Sequence, residues 1–315
     1  MEQTNTNVKV KKGLNKRQKD MIFVACLVTI PLIHYLIFYV YVNFNSILLA
    51  FQKSAGGGNY TWNGVENFKS LFATFAQEIR PGKIFILNCV KNSLVYYVIH
   101  SLVGTVCCLF FSYYIFKKRF ASKFFKVILF LPSVISAIAM TLMFKMFAND
   151  ILTPMLSGMG IKVPVEGLMS NTATQFGMVV FYGTWIGFGQ SMLLYSGAMG
   201  NISDSVMEAA QVDGATETRQ FFSIALPLIY PTITTFLVNG IATLFASDMH
   251  LYAFFGTGAD KINWTFGYYL LNETRGAAVT EYAMPATIGL FLTAFTIPLT
   301  FLIRGLLKKL GPTTA

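Results

Sequence analysis

Six apolar runs dominate this chain, covering residues 21–44, 86–115, 124–147, 175–198, 230–255 and 284–306. A bilayer core of about 30 Å takes roughly twenty apolar residues of helix, and lipid offers no partner to an unpaired backbone amide. The expected fold class is therefore all-α: a polytopic membrane helix bundle of about six transmembrane helices. Of the 315 residues 54% are hydrophobic and only 12% charged, so the chain has too few polar groups to cover itself with a soluble surface. The first run follows a basic leader but is longer than a signal-peptide core. No small-residue cleavage site follows it, so it is read as a retained span.

The charge that is present sits beside the apolar runs. Lys9, Lys11, Lys12, Lys16, Arg17 and Lys19 precede the first run; Lys117, Lys118, Arg119, Lys123 and Lys126 flank the third; Arg304, Lys308 and Lys309 close the last. A formal net charge of +10 placed this way serves membrane lipid and topology, and no nucleic-acid partner is expected. The positive-inside rule puts both termini in the cytoplasm of a bacterial cell (plasma) membrane protein. Residues 1–20 then form a cytoplasmic basic tail, and 21–310 the membrane domain. The polar loop 197–229 also falls on the inner side.

No enzyme chemistry is written in the sequence. His34, His100 and His250 lie in three different spans, and Cys26, Cys89, Cys107 and Cys108 show no metal spacing and read as small apolar residues. There is no His-Glu-x-x-His, no Gly-x-Ser-x-Gly and no Gly-x-x-x-x-Gly-Lys-Ser/Thr phosphate loop. No catalytic residue, metal or cofactor is expected in this chain, so energy for any directed transport must come from a partner.

Loop 197–229 carries an ordered string: Glu208-Ala209-Ala210, Asp213, Gly214 after three intervening residues, then Ile224-x-Leu226-Pro227 ten residues later. Ser205 to Glu208 fits a capping box at a helix start. Ala209 and Ala210 favour helix and leave room for a neighbouring surface. Gly214 permits a sharp turn. A second helix is expected around 215–222, with Pro227 and Pro231 marking entry to the fifth span.

This string resembles the cytoplasmic coupling loop of ABC importer transmembrane permease subunits. Leu131-Pro132, Asn92-Ser93 and Val65-Glu66-Asn67-Phe68 look like the binding-protein-dependent, carbohydrate-uptake (maltose-type) branch of that family. Ser203 departs from it, standing where the family often has proline. The resemblance implies the type I ABC importer permease fold and a role as the permease subunit for a sugar or oligosaccharide. It also implies partners: a second permease subunit (usually a different chain), two ATPase subunits that bind ATP and Mg, and an extracytoplasmic substrate-binding protein. Glu208, Ala209, Ala210, Asp213, Gly214, Ile224, Leu226 and Pro227 would couple this chain to the ATPases.

Polar residues inside spans nominate a substrate site, because they are costly in lipid. Gly183, Gly187 and Gln190 share one helical face, although Gly-x-x-x-Gly also serves helix packing. Asn239, Thr243, Ser247 and His250 share another, with Asp248 beside them. Tyr182 and Trp185 could stack on a sugar or anchor at the membrane interface. Neutral hydrogen-bonding groups with aromatics suit a sugar better than an amino acid. Two alternatives stay open: an ion-coupled secondary transporter using Asp248 and His250, and an ABC permease for a non-sugar solute.

Overall fold

The computed structural model describes residues 15–56, 59–78, 85–277 and 281–312; Lys9, Lys11 and Lys12 of the basic tail lie outside them. Helix α1 spans Lys16–Leu49. Asn15 caps it, accepting from the Lys16 amide at 2.8 Å while the Gln18 side chain accepts from the Asn15 amide at 3.0 Å. Among the described residues, α1 contributes none to a buried core.

The chain then turns at Ala50 into an antiparallel hairpin, β1 (Gln52–Gly56) and β2 (Asn59–Trp62). Asn67, in α2 (Glu66–Glu78), fastens that turn by donating to the Ala50 and Gln52 carbonyls at 2.9 and 2.7 Å. Helix α3 runs Phe85–Phe116. The third expected span is two helices, α4 (Ser122–Val134) and α5 (Ala137–Gly158), bent by 103°. Pro132 lacks the amide needed to continue a helical ladder, and Ile135 and Ser136 are extended between the two.

Helix α6, Thr172–Gly200, has 29 residues and thus a length of about 43 Å, enough to span a bilayer. Its Gly, Thr, Gln and Ser residues make it less apolar than α1, α3, α8 (Glu217–Ala242) and α11 (Ala283–Leu310), the four helices that combine length with apolarity. The bent α4–α5 pair makes five. Between α6 and α8 lies the short α7, Asp204–Val212.

The fifth span differs from expectation at both ends. Helix α8 starts at Glu217, so Pro227 and Pro231 lie inside it rather than at its entry; the π-turn Phe221–Ala225 precedes Pro227 and absorbs its missing amide. The helix stops at Ala242, and 243–250 is a run of turns with Met249 and His250 in the left-handed region. Gly267 permits the break, because any side chain there would overlap the Ser247 carbonyl. Short helices α9 (Leu251–Phe255) and α10 (Phe266–Gly276) follow.

Buried side chains form two separate blocks. One contains Cys89, Phe144, Val179, Tyr182, Phe254, Trp264 and Phe266, with α2, the 251–268 segment and the hairpin-side halves of α3 and α6. Asn92 secures it by donating to the Ile262 and Trp264 carbonyls at 2.8 and 3.0 Å, and Ser93 accepts from the Phe266 amide at 3.2 Å. The second block contains Cys108, Leu109, Met192, Tyr195, Met199, Met207, Phe221 and Ile229, and includes α7. Cys26 and Cys107, in contrast, are exposed on apolar helix surfaces, where only a surrounding lipid phase would cover them.

Candidate functional site

A cavity of about 330 Å³ separates the two blocks, within the size range of small-molecule sites. The order along each helix shows this. On α6, Val179 and Tyr182 belong to the first block, Thr184, Gly187, Gln190 and Ser191 line the cavity, and Met199 belongs to the second. On α3 the order is Cys89, then Tyr96 to Thr105, then Leu109. Helix α8 reads in reverse, from Phe221 and Ile229 to Asn239 and Gly240.

Three contacts fix the walls. The Tyr97 hydroxyl donates to the Leu237 carbonyl at 3.1 Å, joining α3 to α8. The Ser112 hydroxyl donates to the Met192 carbonyl at 2.9 Å, joining α3 to α6. Gly240 lets Tyr97 reach its bond, since a Cβ there would sit 2.8 Å from the ring.

Five of the seven residues nominated as substrate-binding lie together on this cavity: Gly187, Gln190, Asn239, Thr243 and Ser247. Gly183 does not line it. A Cβ there would meet the Tyr96 hydroxyl at 2.8 Å, so Gly183 is a packing contact between α3 and α6. Asp248 also lies outside and accepts from the Tyr252 amide at 3.3 Å, at the start of α9. The expected Asn239-to-His250 stripe is broken where α8 ends, and His250 packs edge-on against Tyr182 at 5.3 Å. Tyr182 is fully buried against Phe144 and Phe254, with Trp185 beside it; both rings serve the aromatic block rather than the cavity.

The sequence reading missed the α3 wall. Tyr96, His100, Gly104 and Cys108 recur every four residues, as do Tyr97, Ser101 and Thr105, and all face the cavity. That periodicity was the available signal. The buried His100 Nδ1 and Thr184 Oγ1 have no hydrogen-bond partner within the protein, although other atoms of both residues line the cavity. Among the described residues lining it there is no Asp, Glu, Lys or Arg, and none of the chain's described His, Cys, Asp and Glu residues cluster as a metal site. Gln190 and Asn239 are exposed in the single chain, so the cavity opens on that side.

At the far end of the second block sits α7. Its cap is Ser203, not Ser205: the helix starts at Asp204 with no side-chain cap, and the two hydroxyls meet each other at 2.7 Å. With the helix starting two residues earlier, Glu208 stands at the fifth helical position rather than the third, which removes the geometry a Ser205–Glu208 box requires. Met207 and Ala210 face inward, Met207 into the second block, whereas Glu208, Ala209 and Asp213 are exposed. Gly214 has φ +75°. Its amide reaches the Gln211 carbonyl at 3.0 Å and the Ala215 amide reaches the Ala210 carbonyl at 2.9 Å, a Schellman termination that needs a left-handed residue. The next helix starts at Glu217 rather than 215, after Thr216 accepts from the Arg219 amide at 3.4 Å. Ile224 and Leu226 pack on the second block, and Pro227 follows the π-turn.

The α3–α4 turn, α7 and the end of α11 share one end of the bundle. Arg119 pairs with Glu217 across that end, and the Tyr230 hydroxyl donates to the Leu307 carbonyl at 2.7 Å. The guanidinium of Arg119 is held more basic than usual by its hydrogen bond to Glu217. At the opposite end, burial raises the Glu273 carboxyl above its ordinary range, and Lys261 offsets part of that shift.

Apolar helices around an open polar cavity, with a small amphipathic helix projecting at one end, define a transport permease subunit of a membrane. The chain belongs to the family described as binding-protein-dependent transport system inner membrane component, whose profile matches residues 101–315. It is 22% identical over 266 residues to the multiple sugar-binding transport system permease protein MsmF of Streptococcus mutans, covering 84% of this chain and 88% of that one. It is 26% identical over 221 residues to the lactose transport system permease protein LacF of Rhizobium radiobacter, covering 68% and 74%. The fold is shared with a bacterial ABC transporter involved in the import of the acidic polysaccharide alginate, at TM-score 0.73 and 19% identity, over 94% of this chain and 97% of that one.

Proposed function

We propose that this permease forms part of the path for an uncharged sugar or oligosaccharide in an ATP-driven ABC importer. The observation that carries the reading is the cavity. It offers neutral donors and acceptors from Gln190, Asn239, Ser191 and His100, beside the Tyr96 and Tyr97 rings and without Asp, Glu, Lys or Arg. A sugar needs hydrogen bonds and an apolar ring face, whereas the ends of an amino acid need countercharges.

Exposure of Gln190 and Asn239 fits completion of the site by a second permease subunit, usually a different chain. An extracytoplasmic binding protein delivers the sugar at the hairpin end. Two ATPase subunits, which bind ATP and Mg, meet the cytoplasmic end. There the exposed face of α7, carrying Glu208, Ala209 and Asp213, docks on an ATPase, and the Gly214 turn sets its angle. Ala210, Ile224, Leu226 and Pro227 carry the movement into the second block and α8.

The test is uptake by the assembled importer in proteoliposomes, offering radiolabelled maltose, lactose, raffinose and arabinotriose. ATP-dependent uptake of one of these, unaffected by a protonophore, is expected. Uptake driven by an ion gradient without ATP would overturn the reading in favour of Asp248-based ion coupling.

A further inference from the structure

The exit of α7 is tied to a second part of the bundle by contacts that the coupling string does not include. Gln220, almost fully buried, donates to the Ala215 carbonyl at 2.7 Å, directly after the Gly214 turn. The same side chain accepts from Lys117 Nζ at 2.6 Å, at the end of α3. One residue-pair further out, Arg119 pairs with the Glu217 carboxylate, and the Tyr113 hydroxyl donates to the Glu217 carbonyl at 3.3 Å. Phe110 and Tyr113 rest on the Phe221 ring at 5.0 and 4.9 Å.

The α3–α4 turn is shaped for this contact. Lys118 and Ala121 both take left-handed backbone, with φ of 50° and 54°, a cost for residues with a Cβ. The Tyr114 hydroxyl holds the turn by donating to the Phe120 carbonyl at 2.6 Å. Beyond the turn, α4 lies directly on α6, because Gly189 lets the Leu129–Phe130 backbone approach the cavity-lining helix. An exposed ion pair such as Arg119–Glu217 contributes little to folding. Its place between the α7 turn and the end of α3, one of the three helices that wall the cavity, gives it a different use.

We infer that Lys117, Arg119, Glu217 and Gln220 form a latch that makes the α3–α4 turn move as one body with the exit of α7. Arg119 and Glu217 are thus positioning residues of the transport cycle. The inference rests on the importer reading above. Movement of α7 then reaches the cavity by two routes, along α8 and through the latch to α3 and α4.

The test uses the assembled importer, in a background without the exposed thiols Cys26 and Cys107. Spin labels at Gln211→Cys and Phe120→Cys bracket the latch, and labels at Gln211→Cys and Val165→Cys span the bundle; all three sites are exposed. On trapping with ATP and vanadate the spanning distance should shift, while the latch distance holds within ~1.5 Å, one residue of helical rise. Arg119→Glu should broaden the latch distance and lower uptake of the transported sugar by about fivefold or more, the low end of ordinary coupling between sites. Arg119→Glu combined with Glu217→Arg should restore both, which a loss of folding would not allow, and Glu217→Gln gives a milder break should the reversal fail to insert. A latch distance that shifts as far as the spanning one, no shift in either, or undisturbed uptake and distance in both single variants overturns the latch. If the unmodified importer moves none of the four sugars with ATP, the importer reading fails instead, and the distances alone decide the latch.

Discussion

Gly214 allows backbone strain to be separated from steric docking. A Cβ built there meets nothing within 4 Å, and φ is +75°, so within this chain a substitution costs only the left-handed backbone. That cost is roughly 1–2 kcal/mol for a residue with an ordinary side chain, and less for Asn, whose short amide stabilises this region locally. Converted to population, 1–2 kcal/mol depletes the Schellman turn by about 5–30-fold. It is small beside the ~5–15 kcal/mol that holds a typical protein folded, so the variants should insert normally. ATP-driven sugar uptake per inserted importer is therefore expected to rank Gly, then Gly214→Asn, then Gly214→Ala, with Gly214→Val lowest. Asn is larger than Ala, so backbone strain and docking volume predict opposite orders for this pair. Uptake that falls with side-chain size, Asn below Ala, would refute the turn argument and place the sensitivity at the partner surface.

Other consequences are as direct. Gly189→Val puts a side chain into the Leu129 carbonyl and 2.8 Å from Phe130 Cα; overpacking of this kind costs about 1–3 kcal/mol, and the detergent-solubilised protein should melt several degrees lower. Gln190→Ala and Asn239→Ala each remove a neutral hydrogen bond worth ~0.5–1.5 kcal/mol, so half-saturation for the transported sugar should rise about 2–10-fold with melting temperature unchanged. Glu273 has its carboxyl raised by burial, so ionisation of this group opposes folding once pH exceeds its ordinary range. Glu273→Gln should raise the melting temperature at pH 8, and the gain should vanish toward pH 3, below the ordinary carboxyl range, where Glu is protonated folded and unfolded alike.

The fold class was legible because lipid leaves one solution for long apolar runs, and α1, α3 and α11 fall where hydropathy put them. The failures lie where local geometry overrides apolarity. Residues 243–250 include Leu244, Phe245, Ala246 and Met249 and fall within the expected fifth span, yet Gly267 and the Thr265 hydroxyl, which donates to the Ser247 carbonyl at 3.0 Å, hold them as turns. Single-sequence periodicity does not carry that contact. Part of the candidate site could be read, because Gln190 and Asn239 are conspicuous in apolar surroundings. His100 has no metal partner in the sequence, but its four-residue spacing with Tyr96 and Gly104 marks the same helix face. Tyr182 shows the opposite limit: an aromatic inside a span looks the same in sequence whether it stacks on a ligand or on Phe254.

The void between the two blocks has a mechanical meaning. Close-packed side chains resist compression almost as a crystal does, so each block would tilt as a stiff piece under load. Deformation concentrates in the soft layer between them, lined by Gly104, Gly187 and Gly240. Work applied at the α7 end would therefore be spent where a cargo would sit, with little of it lost straining either block.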